Sequence, residues 1–282
     1  MTIKKDYTFC ILTPIIMGGA NRNLEFRIPS IKGILRWWFR FYYAGMVDDL
    51  GKLKEKEGEI FGSTERACQF YISPEGRTDA YLRMNDNSKP IKRPAYPPNQ
   101  EFVLLFKSPF IYDNWSQDLE TSLKFLSLFG GLGARWRRGF GSVEVKGFKW
   151  EGEDLDSLGD FAKNIISNYK CKYNLSQQNF MNITNTVVYI VKPKNGFWRN
   201  WEVAMNGLRD NFYREIKKFL NVRSISYKPP KGQRDVSPVI IQIKRADNNK
   251  YFGVVLVYNG WKGFNSFKNA LRHLNTLELK EV

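Results

Sequence analysis

The order of strand-like and helix-like patterns is the feature that most constrains this sequence. Apolar or alternating segments of the first half predict strands, and apolar residues at three- and four-residue spacing predict helices. The predicted strands are 7–16, 68–73, 101–107 and 141–150, and the predicted helices are 30–46 and 118–129. One helix falls between the first two strands and the other between the last two. This β-α-β-β-α-β order is that of the ferredoxin-like unit.

The second half repeats the same order. Its predicted strands are 186–193, 237–245, 251–260 and 277–282, and its predicted helices are 201–220 and 266–276. An apolar stripe in the longer helix predicts a core-facing side, formed by Trp201, Met205, Leu208, Phe212 and Phe219. The predicted fold class is therefore α+β, with two ferredoxin-like (βαββαβ, RRM-like) domains in tandem.

The boundary between the two predicted domains is indicated by composition. An acidic, glycine-containing segment from Glu151 to Asp160 is the clearest change along the chain. We therefore predict an N-terminal domain at 1–150 and a C-terminal domain at 161–282. A long polar insertion, 74–100, separates the second and third strands of the first domain. Loops of that length in compact domains are usually functional or disordered.

The charge balance indicates the kind of partner. The 282 residues include 44 lysines and arginines against 28 acidic residues, which gives a formal net charge of +16. Such an excess attracts polyanions. The sequence has no run of about 18 apolar residues, and its basic residues are spread over several segments. We therefore expect nucleic acid as the partner, and no membrane.

Cysteine usage and the N-terminus indicate the compartment. Cys10, Cys68 and Cys171 are an odd number, lie far apart and never form C-x-x-C, which argues against a disulfide framework and a zinc site. The apolar N-terminal stretch leads into a Pro- and Gly-containing turn, not a small-residue cleavage site. It therefore favours a buried strand over a signal peptide. We expect a cytoplasmic protein.

The first predicted helix has a clear apolar face. Ser30 is its predicted N-cap, preceded by Pro29. The residues expected to be buried recur with helical periodicity and are Ile31, Ile34, Leu35, Trp38 and Tyr42.

A basic ridge lies on roughly the opposite side of this helix. Lys32, Arg36 and Arg40 recur every four residues and begin next to the positive N-terminal end of the helix. An isolated stripe of this kind is usually a solvated face. Arg22 and Arg27 lie just upstream, beside two glycines. Together these residues favour anion binding.

The segment 130–142, GGLGARWRRGFGS, is named here the glycine-rich loop. Glycine lets a backbone approach a ligand closely and arginine forks onto phosphate, so this composition indicates an anionic ligand over a plain surface turn. Its arginines are Arg135, Arg137 and Arg138, its tryptophan is Trp136, and its glycines are Gly130, Gly131, Gly133, Gly139 and Gly141.

Known glycine motifs do not fit this loop. The phosphate motif G-x-x-x-x-G-K-[ST] is missing, and Gly131-Leu-Gly133 lacks the third glycine of G-x-G-x-x-G, so we expect neither ATP nor NAD nor any other cofactor. The RNP1 signature of RNA-recognition motifs matches at Arg138, Gly139, Phe140, Gly141 and Val143. However, Ser142 and Val145 replace aromatics, and the segment leads into a fourth strand rather than a third. We expect the loop to hold a nucleic-acid backbone rather than to stack successive bases.

Candidates for catalysis are few. The only histidine, His273, lies in a helical pattern, which excludes multi-histidine metal sites. The sequence pattern suggests no third carboxylate to complete a metal site with Asp48 and Asp49, so we interpret them as a polar helix end rather than as metal ligands. We expect no catalytic residue and no metal. Metal-free RNA cleavage stays open, because lysine, tyrosine or histidine can serve as acid or base.

The stretch from Arg214 to Arg234 is a basic arm, with seven basic residues against one acidic residue. Pro229, Pro230 and Gly232 predict a loop in its latter half. A solvated helix end with a linker explains this arm as well as a second RNA contact does.

Three motifs of the first half point to a family: RIPSIKGILRWWFR, EIFGSTE and GGLGARWRRGFGSV, in that order. They resemble the RAMP superfamily of CRISPR proteins, whose hallmark is a glycine-rich loop between the last helix and last strand of a ferredoxin-like unit. Within it they are most similar to the first subunits of type III-B (Cmr) effector complexes. The motifs cover roughly 7–145, and beyond them the resemblance rests on element order.

This resemblance implies a non-catalytic RNA-binding subunit in antiviral defence, located near the 3′ end of the guide RNA. Its partners would be CRISPR guide RNA, single-stranded target RNA and the other Cmr subunits, with target cleavage in a different subunit. The alternative is a metal-independent RNA endonuclease that processes guide precursors. The implied RNA contacts are Lys32, Arg36, Arg40, Trp37, Arg135, Trp136, Arg137 and Arg138, with Trp37 and Trp136 stacking on a base. Arg22 and Arg27 are added from the charge pattern, and the glycines implied to shape the loop are Gly130, Gly131, Gly133, Gly139 and Gly141.

Overall fold

The structure is a computed structural model that describes residues 3–19, 24–75, 95–109, 114–169, 180–220, 238–246 and 249–282. Features singled out in the sequence that lie outside these ranges include Arg22, Cys171, most of the 74–100 insertion, and the latter part of the basic arm.

The first half forms a four-stranded antiparallel sheet with helices. Its strands are β1 (Ile3–Ile11), β2 (Tyr71–Pro74), β3 (Glu101–Ser108) and β4 (Val143–Val145). Its helices are α1 (Ile28–Tyr43), α2 (Leu50–Phe61) and α3 (Asn114–Phe129). The strand order is β2-β3-β1-β4, and α1 packs against α3. The glycine-rich loop connects α3 to β4, as the sequence predicts.

The second half has the same topology. Helix α4 (Leu155–Ser167) precedes β5 (Thr186–Pro193). A continuous helical segment follows, made of α5 (Trp201–Gly207), a π-helical stretch (Leu208–Tyr213) and α6 (Arg214–Leu220). The remaining elements are β6 (Val239–Arg245), β7 (Tyr251–Tyr258), α7 (Phe264–Leu271) and β8 (Leu277–Glu281). The strand order β6-β7-β5-β8 repeats that of the first sheet, so the predicted tandem ferredoxin-like fold is confirmed.

The second sheet is buried on both faces, which explains why β7 and the first half of β6 are apolar almost throughout. One face packs on the helices of its own half, with Tyr251, Val255 and Val257 of β7. The other face shares one hydrophobic core with the first half, through Phe252, Val254 and Leu256. The two halves therefore meet through a packed apolar interface.

Two helices, α2 and α4, were not predicted. The Asp49 carboxylate accepts a hydrogen bond from the Lys52 amide at 3.0 Å and caps α2, which agrees with the polar helix end expected there. Asp154 and Ser157 form a capping box at the start of α4. Helix α4 packs against β5 and β8, so the acidic segment expected to mark the boundary contains the start of a helix. The exact domain boundary stays a prediction.

Candidate nucleic-acid interface

A cleft of about 420 Å³ opens between α1, the segment after β1 and the glycine-rich loop. The predicted contact residues that line it are Arg27, Trp37, Arg40, Gly131, Gly133, Trp136 and Arg137. The other lining residues are Ile16, Met17, Gly18, Ser30, Gly33, Ile34 and Ala134. The fold thus brings the two basic segments, which lie about a hundred residues apart in sequence, to one concave surface.

Arg137 is the cation that the aromatic residues of the cleft hold in place. Its Cζ lies 5.4 Å from the ring centroid of Trp37 and 5.0 Å from that of Trp136. The two indoles meet edge to face at 5.5 Å. Burial lowers the pKa of Arg137 to about 10, so the guanidinium is still charged at neutral pH. These two cation–π contacts hold the guanidinium at the cleft, where its fork of donors is suited to bidentate contact with phosphate.

The same geometry bears on the expected role of the tryptophans. Trp37 also stacks on Phe41, with centroids 5.6 Å apart and planes 24° from parallel. Both indoles therefore contact protein groups in this structure. Base stacking by Trp37 or Trp136 stays a prediction.

Arg135 and Arg138 are exposed on the outer side of the loop. Arg135 has a left-handed backbone, with φ of 60°. Neither residue lines the cleft, so they extend the positive surface beyond its rim.

The basic ridge of α1 divides into two parts. Arg36 forms an ion pair with Glu57 of α2, and the Nε of Arg40 lies 3.5 Å from the same carboxylate. Glu57 is only 5% exposed. Lys32 is half-buried, and of the three only Arg40 lines the cleft. Arg36 thus helps to join α1 to α2, and Arg40 connects that ion-pair network to the cleft.

The N-terminus of α1 differs from the prediction. The helix begins at Ile28 with Arg27 as N-cap and with no side-chain cap hydrogen bond, so the expected N-cap at Ser30 is wrong. Pro29 is tolerated in the first turn because the amides there have no partner within the helix. The shift places Ser30 inside the helix, where it lines the cleft.

Left-handed backbone shapes the glycine-rich loop. Gly133, Gly139 and Gly141 have φ values of 80°, 84° and 68°. A Cβ at Gly133 would lie 2.5 Å from the carbonyl oxygen of Ile16, and one at Gly141 would overlap that of Leu132. These positions therefore require glycine on both conformational and steric grounds.

Thr13, just after β1, holds the end of the loop. Its hydroxyl donates to the carbonyl of Gly139 at 2.7 Å and accepts from the amide of Ser142 at 2.9 Å. Thr13 is fully buried. The hydroxyl thus acts as both donor and acceptor, and the two bonds fix the loop where it enters β4.

Several residues of this region were missed from sequence. No sequence pattern indicated a role for Glu57, because it lies in a helix rich in lysine and glutamate. Gln242 and Lys244 of β6 also contact the loop region. The sequence did contain a pattern that could have indicated them: two polar residues at alternate positions of a mostly apolar strand lie on the same face of the sheet.

The described ranges give no support for a metal site, a membrane span or a histidine in the cleft. In them, no three His, Cys, Asp or Glu side chains are grouped so that they could hold a metal ion. None of the helices in those ranges is long and apolar enough to cross a membrane. His273 follows α7 in the second half and does not line the cleft.

The comparison with protein families agrees with the fold and the loop. The family model of the RAMP superfamily matches residues 8–144, which include the end of β1, all of α1, the glycine-rich loop and most of β4. Over this stretch the chain is therefore similar to proteins of the RAMP superfamily.

Over a longer stretch the chain is similar to the Cmr1 subunits of CRISPR systems. It is 26% identical over 235 residues to the CRISPR system Cmr subunit Cmr1-1 of Pyrococcus furiosus, covering 70% of this chain and 68% of that protein. A 66-residue stretch is 41% identical to Cmr1-2 of the same organism, covering 23% of this chain and 35% of that protein.

Solved structures show the same fold over nearly the whole chain. The crystal structure of apo Cmr1 from Pyrococcus furiosus matches with a TM-score of 0.61 at 20% identity, covering 99% of this chain and 98% of that one. A chain of the type III-B Cmr-beta complex bound to cognate target RNA matches with a TM-score of 0.58 at 13% identity, covering 97% and 99%.

Proposed function

We propose that this chain is a non-catalytic RNA-binding subunit of a type III-B (Cmr) effector complex in the cytoplasm. It holds guide and target RNA near the 3′ end of the guide. The similarity to Cmr1 over 70% of the chain supports membership of the complex. The observation that carries RNA binding is the cleft, in which Arg27, Arg40 and Arg137 are combined with two indoles.

A polymer fits this surface better than a free nucleotide. The cations continue past the cleft to the exposed Arg135 and Arg138, and the chain has an excess of sixteen positive charges. Basic grooves with interleaved aromatic rings are typical of single-stranded nucleic-acid sites. Phosphate contacts set affinity and position, which agrees with a site whose cations are mostly arginine.

The chemistry of the cleft supports binding rather than cleavage. Its described lining consists of arginines, tryptophans, one serine and apolar residues, and guanidinium groups are poor proton-transfer groups near neutral pH. The alternative endonuclease is tested by incubating the chain with end-labelled repeat RNA in chelator. We expect intact RNA. Discrete cuts that are lost on His273→Ala would favour the enzyme.

The salt dependence of RNA affinity tests the loop assignment. Replacing Arg135, Arg137 and Arg138 by alanine should weaken single-stranded RNA binding and flatten the slope of log K against log salt by about 2, since each single-strand phosphate contact adds about 0.7. The matched control carries alanine at three exposed arginines of the second half that lie outside the basic arm, Arg199, Arg209 and Arg272. Equal slopes for the two triple variants would contradict the assignment.

A further inference from the structure

The glycine-rich loop pairs with the edge of the second sheet through a single parallel bridge. The Gly139 amide donates to the carbonyl of Ile241 at 2.7 Å, and the Ile241 amide donates to the carbonyl of Arg137 at 3.0 Å. Arg138 forms a parallel bridge with Ile241. Strand β6 is an outer strand of its sheet, so these bonds satisfy backbone groups that an edge otherwise leaves unpaired.

A side chain of β6 spans the loop beside these backbone bonds. Gln242 is fully buried and donates its amide N–H to the carbonyl of Trp136. Its amide oxygen accepts from the hydroxyl of Ser142 at 2.6 Å, and that hydroxyl accepts from the Ile243 amide at 3.2 Å. One residue of the second half therefore holds both the middle and the end of the loop.

A buried lysine holds the base of the loop. The Lys244 ammonium donates to the carbonyls of Ser127 at 2.6 Å, Gly130 at 2.7 Å and Val143 at 3.2 Å. Its three donors match three acceptors. Ser127 lies in the last turn of α3 and Gly130 just beyond it, where the carbonyls of a helix lack internal partners and carry a partial negative charge.

We propose that the second half of the chain sets the conformation of the RNA-contacting loop, with Gln242 and Lys244 as positioning residues. The inference rests on the proposed function, because it concerns the same loop. Arg137 shows the connection: its carbonyl accepts a hydrogen bond from β6, and its guanidinium contacts both indoles of the cleft. RNA affinity thus depends on residues that do not line the cleft.

The test uses the full chain with Gln242→Met and Lys244→Met, compared with Arg245→Met. Arg245 is the next residue of β6 and makes a different contact between the halves, an ion pair with Glu144 at 2.8 Å. Hydrogen exchange of the peptide 131–141 reports the loop without RNA. We expect both positioning variants to raise this exchange and to weaken RNA binding by about three- to tenfold, with little change in Arg245→Met.

Measuring the effect of Gln242→Met in the triple arginine variant distinguishes loop positioning from general destabilisation. Because Gln242 acts through the loop, Gln242→Met should have no further effect on RNA affinity when Arg135, Arg137 and Arg138 are already alanine. An undiminished effect in that background would overturn the inference. Unchanged hydrogen exchange of the loop in Gln242→Met would also overturn the inference. If Lys244→Met does not fold, Gln242→Met alone provides the test.

The two proposals fail in different ways. If the triple arginine variant binds RNA as the parent does, the RNA role of the loop is wrong. The triple arginine variant can also bind weakly while Gln242→Met or Lys244→Met raises loop exchange and still binds RNA as the parent does. In that case the loop contacts RNA, but the inference that β6 positions it for RNA binding is wrong.

Discussion

The Lys244 ammonium lies 2.7 Å from the carbonyl oxygen of Gly130 and joins the second half of the chain to the base of the glycine-rich loop. Burial lowers the pKa of this lysine to about 7 from an ordinary value of 10.5, and the Glu144 carboxylate opposes the shift. Between those two pH values the unfolded chain binds more protons than the folded chain at this group. The folded state therefore gains stability from it as pH rises.

Lys244→Met removes this titration. We expect the unfolding free energy of the parent, minus that of the variant, to rise from about pH 7 to 10 with a slope of up to about 1.4 kcal/mol per pH unit. Denaturant titrations of both chains at several pH values measure this difference. A difference that stays flat would mean that the amine is not buried as described.

Alanine substitutions at Gly141 and Gly147 distinguish the cost of backbone strain from the cost of steric clash. Both have positive φ, but a Cβ at Gly147 meets nothing within 4 Å, whereas one at Gly141 overlaps the carbonyl of Leu132. Gly147→Ala should lower the unfolding free energy by roughly 1–2 kcal/mol, the cost of left-handed backbone. Gly141→Ala should cost at least about twice as much in the same denaturation assay. Equal costs would show that the loop relaxes freely.

Arg137 and Arg138 differ in their surroundings. Arg137→Lys keeps the charge but loses the guanidinium that contacts Trp37 and Trp136, so we expect RNA affinity to fall by about three- to tenfold with an unchanged salt slope. Arg138 is exposed, and Arg138→Lys is the control, with an expected change below about twofold. Binding titrations over a salt series measure both. Equal effects would show that stacking does not position the guanidinium.

The Glu57 carboxylate offsets part of the positive charge on the basic ridge of α1. Glu57→Gln removes the negative charge beside Arg36 and Arg40, so single-stranded RNA should bind about two- to fivefold more tightly at low salt. Glu55→Gln changes the net charge equally at an exposed position of the same helix. If both variants bind RNA alike, the ridge does not contribute to the interface.

The elements of the fold were largely predictable because their apolar periodicity is strong. Strand β5 and the helical segment 201–220 have the predicted bounds. Helix α2 was missed because lysine and glutamate dilute its apolar face, although Asp49 is a good capping residue. Helix α4 was missed because its first turn lies in the acidic segment that was taken for a boundary.

The site was predictable in its residue types but not in its contacts. Arginine and glycine patterns led to the two segments that form the cleft. No local pattern reveals that Glu57 neutralises part of the ridge or that β6 pairs with the loop, because both depend on packing between elements distant in sequence. The stacking of Arg137 on two indoles is likewise a tertiary contact.

Photo-crosslinking of 4-thiouridine-substituted single-stranded RNA to the full chain, with mass-spectrometric mapping, tests the central claim most directly. The cleft predicts crosslinks to the peptides that contain Trp37 and Trp136, reduced when Arg135, Arg137 and Arg138 are replaced by alanine. Crosslinks confined to other parts of the chain, and unaffected by that replacement, would contradict it.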